Sequence, residues 1–153
     1  MTHRREIRET VLQALYAEEL SRDSWEHILK VIIKPGLKSE KDALKFAENL
    51  FLRTLNHQEE IDEIIQKHIK NWKIERLTTI DKLILRIALC EFLYFEQIPT
   101  KVTINEALEI AKKYSTSKSS NFVNGILDAA LEELREADRI NKKGRGLIES
   151  SIN

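Results

Sequence analysis

Apolar residues recur along this chain at intervals of three and four, and almost nothing interrupts them. That spacing lays one apolar stripe along a helix, whereas a half-buried strand needs strict alternation. No such alternation persists anywhere in the sequence. The reversals of a β architecture also consume glycine and proline, and the 153 residues hold four glycines and two prolines. The scarcity disfavours turn-rich sheets, so the predicted fold class is all-α. The length fits one domain, with a core that needs neither disulfide nor metal.

The pattern divides into segments. A first helix is predicted from Arg4 to about Leu20, with Ile7, Val11, Ala14 and Leu15 inward. A shorter one covers Trp25 to Ile33, with Trp25, Ile28, Leu29 and Ile32 inward. Lys34-Pro35-Gly36 should break it. Ser39 suits the N-cap of a long stretch that carries Ala43, Phe46, Ala47, Leu50 and Phe51. Asn56-His57 marks a joint, after which Ile61, Ile64, Ile65, His68 and Ile69 resume the period. Thr78 and Asp81 have capping-box spacing ahead of the most apolar segment, which carries Leu83, Ile84, Ile87, Ala88 and Phe92 and suits a central helix.

Past Pro99, Thr103 and Glu106 form a second capping box for a helix reaching Tyr114, with Ile104, Ala107, Leu108 and Ala111 inward. Ser115 to Ser120 reads as a polar loop. The last long helix is expected to start near Asn121 and to bury Phe122 or Val123, then Ile126, Leu127, Ala130 and Leu134. From Asp138 the period dissolves into Lys142-Lys143-Gly144-Arg145-Gly146. Residues 138–153 are therefore expected as a flexible basic tail beyond a domain of residues 1–137.

Charge decides little at the level of the whole chain. Lysine and arginine number 25 and aspartate and glutamate 25, so no global field favours nucleic acid. Any electrostatic case must be local. Arg4, Arg5 and Arg8 gather at a helix start, where the macrodipole prefers acids. A solvated face and a binding use are equally open for them.

Cys90 is the one cysteine; it can form no internal disulfide and reads as a small buried hydrophobe. No apolar leader follows Thr2-His3-Arg4-Arg5, and no apolar run approaches membrane-span length. A cytoplasmic location and no membrane partner are expected.

Chemistry is hard to find in the sequence. His3, His27, His57 and His68 lack paired metal-ligand spacing, and there is no second cysteine for zinc. No glycine-rich phosphate loop and no G-x-S-x-G elbow is present. Glu59-Glu60 and Glu132-Glu133 read as outward, solvated pairs. No metal, no cofactor and no catalytic group is expected, and the chain is read as a non-enzyme.

Two features break local rules. Asn124-Gly125 lies inside a helical pattern, where glycine costs on the order of 1 kcal/mol relative to alanine. A close backbone approach at Gly125, or a hydrogen bond from Asn124, would explain the pair. Phe122 falls in the first turn of the last helix beside a Ser/Lys/Asn-rich stretch. A helix start suits phosphate, and a neighbouring aromatic can stack on an unpaired base. On pattern alone a core phenylalanine is the stronger reading.

These residues also carry a family resemblance. Ile98-Pro99, Val102-x-Ile104-Asn105-Glu106-Ala107, Ala111-Lys112-x-Tyr114 and Phe122-Val123-Asn124-Gly125-Ile126-Leu127-Asp128 closely resemble the NusB family of transcription antitermination factors. Asp81, Ile84-Leu85-Arg86-Ile87-Ala88 and Glu91 resemble its central helix, and Arg4 to Tyr16 its first. The resemblance covers nearly the whole chain except the tail. It implies about seven helices in two small crossed bundles. It also implies binding to boxA RNA of ribosomal RNA operons together with NusE, a small-subunit ribosomal protein, within the RNA polymerase antitermination complex. That activity promotes processive transcription and ribosomal RNA maturation.

The RNA-binding residues it implies are Arg4, Arg5, Arg8, Lys118, Asn121 and Phe122, and the NusE-facing ones Tyr16 and Asp81. It allows two oligomeric states, monomer and homodimer. The sequence departs from the family in having Glu6 and Glu9 among the arginines, and Lys118 where an acid is common.

Two alternatives stand beside this. A similar module forms the N-terminal domain of some ribosomal RNA cytosine methyltransferases, but here a short polar tail is expected in place of a catalytic domain. Zero net charge also suits a helical protein-interaction module that binds no RNA.

Overall fold

The computed structural model describes residues 3–70 and 73–148. They form α1 (Arg4–Ser21), α2 (residues 25–37), α3 (Lys41–Asn56), α4 (Gln58–Lys67), α5 (Thr79–Tyr94), α6 (Thr100–Tyr114) and α7 (Ser117–Glu136). Single 3-10 turns occupy Ile74–Arg76 and Gly144–Leu147, and there is no strand among the described residues. The all-α expectation holds. The chain divides into two compact units, Met1–Asn56 and His57–Asn153, and the boundary coincides with the joint expected at Asn56-His57.

In the first unit α1 packs on α3 and on the middle of α2. Val11, Ala14, Leu15, Ala47, Leu50 and Phe51 are almost wholly buried, which follows the apolar stripes. Helix α2 departs from expectation, because Lys34-Pro35-Gly36 does not break it. Residues Leu29–Ile33 are wound as a π-helix, and the N–H of Lys34 reaches back to the carbonyl of Leu29. The wider winding shifts the ladder by one residue just ahead of Pro35, which has no N–H to give. The helix then continues to Leu37. Its phase changes with it: Trp25 is 45 % exposed, while Ile28, Leu29 and Ile33 are buried.

In the second unit α5 is the centre, touching α4, α6 and α7. Leu83 to Phe92 are all buried, and Cys90 is fully so, as its apolar setting implied. Two buried charges on α5, Arg86 and Glu91, find polar partners on other helices. Arg86 grips Asp62 of α4 through two 2.8 Å hydrogen bonds, a bidentate geometry that offsets desolvation. Glu91 accepts a 2.8 Å bond from the Thr103 hydroxyl.

That bond corrects the second capping box. Helix α6 starts at Thr100 behind Pro99, with no side-chain cap. Pro99 (φ −61°) already sets the entry, so Thr103 lies inside the first turn, turned toward Glu91. Thr100, Thr103, Ala107, Ile110 and Ala111 are the buried residues of α6, and Ile104 and Leu108 are half-buried.

The carboxylate pairs are also less idle than their composition suggests. Glu60 accepts from the Tyr94 hydroxyl at 2.5 Å and lies 3.4 Å from Arg139. Glu133 accepts from Lys67 at 3.1 Å and lies 2.7 Å from His68 Nε2.

Residues 139–148 carry contacts where a flexible tail was expected. Lys142 Nζ donates to the carbonyls of Glu91 (2.9 Å) and Phe95 (2.7 Å). These lie at the C-terminal end of α5, where the macrodipole attracts a cation. The N–H of Lys143 binds the Glu96 carbonyl at 3.0 Å. A Cβ on Gly146 would lie 2.0 Å from that same oxygen, so the backbones can meet only at glycine. Residues 149–153 of the expected tail lie outside the described residues.

Candidate nucleic-acid interface

The residues singled out from the sequence fall on both units, and each unit is described by itself. In the first, Arg4 and Arg5 are exposed at the start of α1, while Arg8 is 3 % exposed. Arg4 and Arg8 converge on one aromatic ring. The Arg4 guanidinium carbon lies 4.0 Å from the Phe46 ring centroid and that of Arg8 5.6 Å. The ring face attracts both cations and restrains their long side chains. A cavity of about 370 Å³ opens beside Arg4, lined by Ile7, Glu40, Lys41, Asp42 and Phe46 among others. Tyr16, further along α1, is 39 % exposed, with Leu20 one turn on at 60 %. Phe46 was read from the sequence only as a core residue.

In the second unit, α7 begins at Ser117, four residues before the expected start. Thr116 is its N-cap, with Oγ1 accepting from the N–H of Ser119 at 3.0 Å. The serine-rich composition suggests a loop, but the Thr-x-x-Ser spacing satisfies an orphan donor and lets the helix begin. Lys118 and Asn121 are exposed on the first turns, and Phe122 is half-buried. Val123, fully buried, takes the core position that the sequence left open between the two. Lys118, Asn121 and Phe122 are spaced by three and four residues, so they share one side of the helix.

Asn124 is half-buried and Gly125 exposed on the next turn. A Cβ on Gly125 would meet nothing within 4 Å, so the close backbone approach considered for it is absent among the described residues.

Asp81 joins this edge. The first half of its capping box forms as expected, the Asp81 N–H donating to Thr78 Oγ1 at 3.2 Å. Its carboxylate does not turn back to close the box, since Oδ2 accepts from Ser119 Oγ at 3.0 Å. Asp81 is 7 % exposed, and its Oδ1 is buried without a partner among the described residues. Ser119 went unnoticed in the sequence, where nothing local ties it to a residue 38 positions away. Among the described residues no helix is long and apolar enough to cross a membrane, and no cluster of His, Cys, Asp or Glu could hold a metal ion.

Known proteins resemble this chain closely. The model of the NusB family matches residues 5–132. The transcription antitermination protein NusB of Salinibacter ruber is 47 % identical over 148 residues, covering 97 % of this chain and 92 % of the relative. The solved structure of T. maritima NusB superposes with a TM-score of 0.80 at 38 % identity, over 86 % of this chain and 92 % of that one. A chain in a crystal structure of the antitermination factors NusB and NusE in complex with double-stranded RNA superposes at 0.78 with 28 % identity, over 85 % of this chain and 96 % of that one. On its sequence, the seven helices of its described residues and its fold, this chain belongs to the NusB family.

Proposed function

We propose that this protein is a transcription antitermination factor that binds boxA RNA of ribosomal RNA operons together with NusE. In that role it promotes processive transcription and ribosomal RNA maturation, acts in the cytoplasm and catalyses no reaction. The observation that carries the proposal is the likeness to a NusB chain solved with NusE and RNA. The exposed cations and the half-buried aromatic of this chain support it.

Arg4, Arg5 and Lys118 meet phosphates, and Asn121 offers a polar contact beside Lys118. Phe122 stacks on an unpaired base, since a half-buried ring presents a face that a core ring would not. Arg8 is buried as packed here, and it serves the arm by sharing the Phe46 ring with Arg4. Tyr16, exposed on α1, and Asp81, which is 7 % exposed, face NusE.

A gel-shift titration tests this. BoxA RNA should bind more tightly than a scrambled strand of equal length, and the preference should grow when NusE is added. Equal binding of the two RNAs with NusE present would overturn the proposal.

A further inference from the structure

The RNA-facing residues of α7 stand on a segment that should not hold itself in place. Ser117, Lys118, Ser119, Ser120 and Asn121 open the helix, and serine and asparagine favour caps and turns over helix interiors. A first turn of this composition frays unless side chains tie it down. Besides a long bond from the Ser120 hydroxyl to the Leu108 carbonyl (3.5 Å), two ties are present. Thr116 caps the Ser119 N–H, and the Ser119 hydroxyl donates to Asp81 Oδ2 while accepting from Ser115 Oγ at 2.8 Å.

The second tie is a relay of hydroxyls ending on a buried carboxylate, in which each bond polarises the next. It exists because aspartate stands where a capping box prefers Glu or Gln. The shorter side chain reaches across to α7 instead of back along α5.

We propose that Asp81 and Ser119 form a latch that preorders the first turn of α7, making them positioning residues for RNA contact by Lys118, Asn121 and Phe122. This rests on the RNA-binding role proposed above. Without the latch, RNA must order the turn on binding, and affinity falls by that cost.

The test compares wild type with Ser119→Ala, Asp81→Ala and the double variant, as the free full-length protein without NusE. BoxA RNA affinity should fall about three- to ten-fold in each single variant, the range expected for losing one hydrogen bond of ordinary net strength. The double variant should bind no worse than the weaker single, because both remove one interaction. Ser119→Thr keeps the hydroxyl and should restore binding. Helicity and melting temperature, followed alongside, separate loss of the latch from loss of the fold.

Hydrogen exchange supplies a reading that needs no RNA. Amides of residues 119–122 should exchange faster in Ser119→Ala and at the wild-type rate in Ser119→Thr. Unchanged affinity and unchanged exchange would overturn the latch, as would additive losses in the double variant. If wild type shows no boxA preference even when NusE is added, the RNA-binding role fails, and the exchange measurement still decides whether the latch orders the turn.

Discussion

Single residues of α7 show what helical spacing conceals. Phe122 and Val123 are adjacent and both apolar, and only packing distinguishes them: Val123 is sealed in the core and Phe122 keeps part of its ring in solvent. Phe122→Ala should therefore weaken boxA RNA binding about ten-fold, within the ~1–3 kcal/mol typical of base–aromatic stacking. Far-ultraviolet circular dichroism should show helicity unchanged, and undiminished affinity would return Phe122 to a packing role. Gly125 points the same way from the side of stability. It sits in mid-helix with open space around its missing Cβ, so its propensity cost of about 1 kcal/mol has no compensating contact within the described residues. Gly125→Ala should raise stability by about 0.5–1 kcal/mol in urea denaturation. A destabilised variant would contradict the open surroundings.

The helices are joined by polar contacts that their stripes do not foretell. Between α4 and α7, Glu133 receives hydrogen bonds from His68 and Lys67, and these hold its carboxyl below the ordinary value of 4.5. A carboxyl depressed in the folded state adds stability above its unfolded value, and that stability is lost as pH falls through the lower, folded value. Glu133 is a third exposed, so Glu133→Gln should cost no more than about 1 kcal/mol at pH 7. Denaturation curves of wild type and variant should converge in acid, once wild-type Glu133 is protonated. A gap that stayed constant down to pH 2 would rule out the ionic origin. Tyr94 shows the opposite shift, its hydroxyl pushed up to about 12 by burial and then by its bond to Glu60. Its ring stacks on His57 at 4.0 Å, at the start of α4.

For the molecule as a whole, the zero net charge sets an expectation about affinity. The cations proposed to meet phosphates and exposed in the structure are Arg4, Arg5 and Lys118. Three contacts to single-stranded RNA predict a slope of about −2 in log K against log salt. Binding isotherms across a salt series measure it. A slope several times steeper would mean that other basic residues, such as those near Lys142, also reach RNA. The docking of Lys142 on the end of α5 already commits that side chain to the fold.

The sequence by itself determined the all-helical class, the span of α1, the joint at Asn56-His57 and the family. Apolar period, turn residues and short motifs are local, and each can be read within a few turns of helix. Tertiary structure decided what depends on partners distant along the chain. Arg8, expected at the surface with Arg4 and Arg5, is buried beside Phe46. Thr103, spaced like a cap, answers Glu91. The segment around Lys142, which looks unstructured by composition, finds its order in the carbonyls of Glu91 and Phe95 at the end of α5. The stretch from Ser115 to Ser120, polar enough to read as loop, becomes the start of a helix because Thr116 caps it and Asp81 holds Ser119. A side chain's hydrogen-bonding capacity is written in its type, but which donor or acceptor it meets is settled only when packing brings the two within 3 Å or so.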